Sequence, residues 1–157
     1  MTLGRKVPVT ELPPHSIGSV DYVDAFEIDR DPSDTRTAEE STRSAFDHPP
    51  SILRSSVLSV HRHVLRFELG PWSSPEHIIG WRVIRREPEA IHIETQGTLM
   101  SGHLVVRTTT KTVTVTTFIH YNRPLVGKVV WAAVSPLHRA ITPYVLKWDS
   151  DRMTQLL

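Results

Sequence analysis

The sequence predicts an α+β protein in which a curved antiparallel β-sheet wraps around a long, bent C-terminal α-helix, with two short helices after the first strand. Three observations support this fold class: an alternating segment over 20–29, four consecutive β-rich segments between 81 and 121, and a long apolar segment over 122–148 with two internal prolines. The 157 residues suit one domain with one core. We divide them into an extended N-terminal arm (1–19), a single domain (20–148) and a C-terminal tail (149–157).

Short local patterns predict the first strand and the two helices. The stretch "VDYVDAFEID" alternates, so one side of a strand carries Val20, Tyr22, Asp24, Phe26 and Ile28. Thr37 and Glu40 have the spacing of a capping box, which predicts a helix from there to about Phe46. After Pro50, a second helix presents an apolar stripe and ends at Gly70. This stripe comprises Leu53, Val57, Val60, Val64 and Phe67.

Four strands are predicted over 81–87, 90–95, 102–110 and 112–121. Their valine and threonine content favours strands, because β-branched side chains fit a pleated surface. The links between them are too short for a parallel crossover, so the strands must be antiparallel. In the last strand one face carries Val113, Val115, Thr117, Ile119 and Tyr121. Phe118 lies on the opposite, mainly polar face and interrupts its pattern.

The apolar segment near the C-terminus predicts a helix over about 125–148, with Asn122 as N-cap and Pro124 in the first turn. Pro136 and Pro143 each remove a backbone donor, so we expect bends near 132–136 and 139–143. The expected buried stripe comprises Val126, Val130, Ala133, Leu137, Ile141, Tyr144 and Trp148. Charged side chains interrupt the segment, so we predict no transmembrane span.

Composition excludes several classes of function. The chain has 18 Lys+Arg and 17 Asp+Glu residues, without the basic excess that nucleic-acid binding favours. It has no cysteine, which excludes disulfides and thiolate chemistry. No glycine-rich loop resembles a phosphate cradle, and we predict no cofactor. The first 19 residues lack the apolar run of a secretory signal, so we expect a cytoplasmic location.

Three stretches carry a resemblance to a known family: "DYVDAFEID", "HPPSILRSSVLSVHRHVLRFEL" and "VTVTTFIHYNRPLVGKVVWAAVSPLHRAITPYVL". Together they resemble the DUF2867 family over roughly residues 20–148. The order of elements is similar to the helix-grip fold of the SRPBCC/START-like superfamily, which includes polyketide cyclases and lipid-transfer domains. This resemblance implies a deep, mainly apolar cavity between the sheet and the C-terminal helix. It transfers no catalytic residues.

On this fold we expect a ligand to contact residues of the last strand and the C-terminal helix. Trp131 is the candidate for stacking on a planar ligand, and Arg139 for anchoring a polar end at the cavity mouth. The full set of ligand-binding candidates is Trp131, Arg139, Tyr144, Val115, Ile119 and Tyr121.

Candidates for catalysis are His103, Arg107 and His138. His103 and Arg107 share a strand face, so they could polarise a substrate oxygen if that face looked into the cavity. If Leu104 and Val106 face inward instead, both candidates lie outside the cavity, and the pattern does not decide. His92 and Glu94 also share a face, but no third ligand lies nearby, so we predict no metal site.

Other polar groups are expected at the surface. His61 and His63 indicate a solvated side of the second helix, and most acidic residues of 21–47 indicate a solvated face.

Three functions remain open at this point. The leading hypothesis is a carrier or sequestering protein that binds a small hydrophobic molecule, such as a lipid, polyketide or aromatic compound. The alternative is an enzyme on the same scaffold, a cyclase or dehydratase acting on a polyketide-like substrate. The third is a structural protein that forms a homodimer or contacts a membrane surface through the apolar helix.

Overall fold

A computed structural model describes residues 4–47 and 49–156 of the chain. The first three residues of the predicted arm, His48 between the two predicted short helices, and Leu157 of the predicted tail lie outside the described residues. The strands are β1 Arg5–Lys6, β2 Tyr22–Asp29, β3 Ser73–Ser74, β4 His77–Ile78, β5 Trp81–Glu87, β6 Ala90–Thr95, β7 Met100–Thr108 and β8 Thr112–Tyr121. The helices are α1 Ala38–Asp47, α2 Ser51–Ser59 and α3 Pro124–Leu156, and a π-helical turn, Val60–Val64, follows α2.

The strands form one curved sheet in the order β1-β2-β8-β7-β6-β5-β4-β3. Every neighbouring pair is antiparallel. With the three helices, and α3 the longest of them, this confirms the predicted α+β, helix-grip-like fold class. The four long predicted strands correspond to β5–β8, and the structure adds three strands of two residues each.

The two faces of the sheet have different coverings. The inner face packs against the helices and carries alternate residues of the central strands, including Leu104, Val106, Val115 and Ile119. On the outer face, Phe118 packs with Val105 and with Ile17 of the N-terminal arm. The interrupted pattern at Phe118 therefore has a physical reason, because the arm shields this part of the outer face from water.

The N-terminal arm is extended and attached to the sheet. Its β1 pairs with the edge of β2, Arg5 opposite Glu27. Further along, Glu11 accepts hydrogen bonds from Arg107 of β7, one of them at 3.1 Å from Nη2. Near the end of the arm, Ile17 is buried against Val105 and Phe118 on the outer face of the sheet.

Helix α1 begins as its capping box predicts. The Thr37 amide donates to Glu40 Oε2 at 2.9 Å, and the Glu40 amide donates to Thr37 Oγ1 at 3.2 Å. Two of the amides left free at the helix start are thereby satisfied.

The second helix differs from its prediction at its C-terminal end. The π-helical turn makes an i→i+5 hydrogen bond, from Leu65 N to Val60 O at 2.9 Å. The wider turn shifts the inward position by one residue, so Leu65 is buried while Val64 is 44% exposed. The helical structure ends at Val64 rather than at Gly70, and the predicted stripe is wrong at Val64. Phe67 is buried as predicted, but it lies in the non-helical segment that follows.

Helix α3 is longer than predicted and is turned differently. It continues to Leu156, through the segment assigned to a tail, with Pro136 and Pro143 inside it. Asp149 anchors the added turns, accepting hydrogen bonds from Arg36 at 3.0 Å and from Ser44 at 2.6 Å. The buried side of α3 carries Gly127, Trp131, Ser135, Thr142, Val145, Leu146 and Asp149. The predicted stripe is wrong at Val126, Ala133, Leu137, Tyr144 and Trp148, which are all exposed, whereas Val130 packs against the apolar core.

No helix among the described residues combines the length and apolarity that crossing a bilayer requires.

Candidate functional site

An apolar cavity of about 100 Å³ lies between the inner face of the sheet, α3 and the α2 region. Leu104, Thr117 and Ile119 contribute from the central strands. From α3 the wall includes Trp131, Val134, Leu137, His138, Ile141, Thr142 and Val145. Because one water needs only roughly 10–15 Å³ of such space, the cavity has room for a small organic ring.

Aromatic side chains form much of the cavity wall opposite α3. Phe67 and Trp81 contact each other edge to face, with ring centroids 5.6 Å apart, and Trp72 and Phe46 complete the group. Such rings offer large, rigid apolar surfaces to a planar ligand.

The π-helical turn brings a histidine to this wall. His61 contacts Phe67 and Trp81, and its Nδ1 accepts a long hydrogen bond of 3.4 Å from Trp81 Nε1. Burial, with a smaller effect of His138, lowers the pKa of His61 to about 4. His61 is therefore neutral near pH 7, and it lies at the cavity rather than on the solvated helix side that we predicted.

A tight turn between β4 and β5 also shapes the wall. Ile79 has φ 51° and Gly80 has φ 82°, so both residues lie in the left-handed region. A β-branched residue rarely adopts this backbone conformation. Ile79 nevertheless lines the cavity and is only 7% exposed, so packing of its side chain maintains a strained backbone at this position.

A buried polar cluster adjoins the cavity beneath α3. Asp24 of β2 is 1% exposed and accepts a hydrogen bond from the Tyr22 hydroxyl. His138 Nε2 lies 3.1 Å from Asp24 Oδ2, and His138 Nδ1 lies 3.4 Å from Thr142 Oγ1. Where a carboxylate accepts from an imidazole, the contacting nitrogen carries the proton, so this contact assigns the N–H to Nε2; in the neutral ring Nδ1 then carries the lone pair.

Tyr22 and Trp131 connect the cluster to the cavity. The Trp131 ring lies 5.1 Å from Tyr22 and 5.3 Å from His138, measured between centroids. Burial, followed by the hydrogen bond to Asp24, raises the pKa of Tyr22 to about 12, although Arg139 acts in the opposite direction. Tyr22 therefore remains protonated and donates to Asp24 at any ordinary pH.

Three groups of the cavity wall are buried without a hydrogen-bond partner among the described residues. They are the indole N–H groups of Trp72 and Trp131 and the hydroxyl of Thr117. On folding, each of these groups loses its hydrogen bonds to water without gaining a hydrogen bond to another described residue.

The structure separates the predicted ligand-binding residues into three groups. Trp131 and Ile119 line the cavity. Val115 and Tyr121 belong to the same apolar core without lining the cavity. Tyr144 is 50% exposed on the outer side of α3, and Arg139 is exposed with a 3.3 Å hydrogen bond to Ser135. The rotated phase of α3 moves these last two away from the cavity.

Of the predicted catalytic residues, only His138 lines the cavity. Leu104 and Val106 face inward, which places His103 and Arg107 on the outer face of the sheet. There His103 Nε2 lies 3.1 Å from His92 Nδ1, and its Nδ1 lies 3.5 Å from Glu94 Oε2.

Glu94 is buried, and Ser16 of the arm donates to it at 2.9 Å. Among the described residues, no group of three or more His, Asp or Glu side chains could hold a metal ion.

Among the titratable residues of the site, sequence reasoning missed Asp24 and His61. A signal for Asp24 was present, because the alternation of β2 placed it on the same side as Phe26 and Ile28. Asp24 was not identified because the acidic residues of 21–47 were interpreted as a solvated face. No pattern in the sequence announces the π-helical turn, which is what brings His61 to the cavity.

Fold and site together define a class of protein: an α+β domain whose antiparallel sheet and helices enclose an apolar cavity with a few buried polar groups. A family comparison matches residues 16–145 to DUF2867, described as a protein of unknown function, and the chain belongs to this family. Searches of curated proteins and of solved structures each gave no match to the chain.

Proposed function

We propose that the protein binds a small hydrophobic molecule in the cavity between the sheet and α3, as a carrier or sequestering protein of the cytoplasm. One observation carries the proposal: a cavity of about 100 Å³ is lined mainly by aliphatic and aromatic side chains, and three of its lining residues carry buried donors without partners among the described residues. The resemblance to the SRPBCC/START-like superfamily supports it, because that superfamily implies a ligand cavity in the same place.

Native mass spectrometry tests this proposal with two matched variants of α3. Val134→Phe places a larger side chain in the cavity wall, whereas Val129→Phe makes the same change where the side chain is 70% exposed. We expect protein from its own host to carry a hydrophobic small molecule that Val134→Phe loses and Val129→Phe retains. An apo mass for the wild type, with no rise in melting temperature across a panel of aromatic and lipid compounds, would contradict the proposal.

A second candidate function is catalysis in the same cavity, by a cyclase or dehydratase acting on a polyketide-like substrate. It is favoured by the position of His138, which lines the cavity while buried Asp24 holds its Nε2 at 3.1 Å. In this arrangement Nδ1 could remove or return a proton once the long contact to Thr142 opened. Asp24 would orient the ring and stabilise its protonated form.

The catalytic candidate predicts a separation of turnover from binding. His138→Gln and Asp24→Asn should each abolish turnover of a polyketide-like substrate while its dissociation constant changes little. If both variants lose binding and turnover to the same degree, the two residues only shape the site.

A third candidate function is self-association through the outer side of α3, favoured by Leu125 and Val129, which are 82% and 70% exposed. It predicts an elution volume that depends on protein concentration in the wild type and that no longer does so in Leu125→Ser/Val129→Ser. A wild-type elution volume that is independent of concentration would exclude it.

A further inference from the structure

Several of the residues that line the cavity carry a buried hydrogen-bond donor without a partner. Trp131 is 4% exposed and Thr117 is 2% exposed, and neither the indole N–H nor the hydroxyl has a partner among the described residues. The Trp72 indole N–H on the same wall is also unpartnered. An indole N–H can only donate, and a hydroxyl can donate in one direction. Donors without partners in a pocket are matched by a ligand atom that accepts.

His61 extends this set. Its Nδ1 accepts from Trp81 Nε1, so the proton of the neutral ring resides on Nε2, which becomes a further donor at the cavity wall. Because burial lowers the pKa of His61 to about 4, it does not supply a positive charge near pH 7.

The lining also excludes charge. Among the described residues that line the cavity there is no lysine, arginine, aspartate or glutamate. His138 is the remaining titratable group of the wall besides His61, and its Nε2 already faces the Asp24 carboxylate. A ligand carboxylate in this cavity would lose its hydration without meeting a free cation, and Asp24 nearby would repel it.

We infer that the cavity selects uncharged ring compounds that carry a hydrogen-bond-accepting oxygen, such as aryl ketones, lactones or quinones, over hydrocarbons and carboxylates of the same shape. The inference rests on the proposed binding function and specifies the chemistry of its ligand. The aromatic wall of Phe67, Trp72 and Trp81 holds the ring, while the donors of Trp131 and Thr117 recognise its oxygen.

Three probes of nearly equal shape test the inference: acetophenone, α-methylstyrene and benzoate. The second replaces the carbonyl oxygen of the first by a methylene group, and the third carries a negative charge. Isothermal titration calorimetry at pH 7 should give acetophenone a dissociation constant about tenfold lower than that of α-methylstyrene, as expected for one buried hydrogen bond. Benzoate should bind more weakly than both.

A matched pair of variants on β8 identifies the donor. Thr117→Val removes the hydroxyl of a cavity-lining residue with little change in shape, and should reduce the preference for the ketone by weakening the binding of acetophenone. Thr116→Val makes the same change at a buried position on the outer face of the same strand, and should leave the preference unchanged. Without ligand, Thr117→Val should melt no lower than the wild type, because its hydroxyl has no protein partner to lose.

The outcomes distinguish this inference from the binding proposal beneath it. Equal affinity for the ketone and the alkene would overturn the inference and leave hydrophobic binding intact. Tightest binding of benzoate would overturn it in favour of an anion site. Absence of binding by all three probes, in a protein that also retains no small molecule from its host, would overturn both.

Discussion

The position of His61 in the cavity wall predicts a specific dependence of stability on pH. Its pKa falls from an ordinary value of 6.5 to about 4 in the folded protein, because burial disfavours the charged ring. Between these two values the unfolded chain takes up a proton that the folded protein does not. The free energy of unfolding must therefore decrease as the pH falls through this window, and it is fully restored above the higher value.

The size of this effect follows from the same pKa change. At 1.36 kcal/mol for each pKa unit, a fall from 6.5 to about 4 corresponds to roughly 3 kcal/mol. His61 is only partly buried, so contact with solvent reduces the expected effect to about 1–2 kcal/mol. Replacement by glutamine keeps a hydrogen-bond acceptor for Trp81 Nε1 and removes the titrating group.

Urea unfolding at pH 7.0 and pH 4.5 measures the difference. The wild type should lose about 1–2 kcal/mol more than His61→Gln over this interval, because all other titrating groups are common to both proteins. His63→Gln is the matched control, since His63 is exposed on the same turn. An equal loss in the wild type and His61→Gln would refute the assignment of His61 as a neutral group of the cavity wall.

Further predictions concern the elements that position the site. Thr37→Ala removes the hydroxyl that accepts from Glu40 N at 3.2 Å and should lower stability by about 1 kcal/mol in urea unfolding, whereas Thr35→Ala outside the capping box should not. Gly102→Ala would place a Cβ 2.8 Å from Trp81 Cη2. The resulting overpacking should cost about 1–3 kcal/mol and weaken the binding of ring compounds measured by calorimetry; unchanged stability and affinity would contradict this contact.

The strands and the start of α1 were predictable because their signals are local. Period-two alternation, β-branched composition and short links determine β5 to β8, and the capping box of Thr37 and Glu40 determines where α1 begins. Each of these patterns depends only on neighbouring residues and on backbone chemistry.

The phase of α3 was not predictable from apolar spacing, because apolar residues occur on both of its sides. Leu125 and Val129 are exposed, whereas the small or polar residues Gly127, Thr142 and Asp149 are buried. Gly127 is required by close packing, since a Cβ there would lie 3.0 Å from the Leu99 carbonyl oxygen. Contacts between distant parts of the chain decided the phase, and they leave no periodic signal in α3 itself.

Part of the candidate site was therefore accessible from the sequence. Trp131, Ile119 and His138 were predicted near a cavity and line it in the structure. Asp24 was misassigned to a solvated face although its strand side was correctly predicted. The position of His61 depends on a single wide turn, which a 3.6-residue period cannot represent.

The short border strands affect how the protein behaves at high concentration. Unpaired strand edges attract other strands and promote fibrous aggregation. β4 pairs with Trp81 and Arg82 of β5. The rest of this edge of β5 carries the exposed residues Arg85 and Arg86, and its register with β6 is irregular after Val83. The positive charge of the two arginines and the irregular edge of β5 both oppose pairing with a strand from another molecule, so this edge of the sheet is protected against polymerisation.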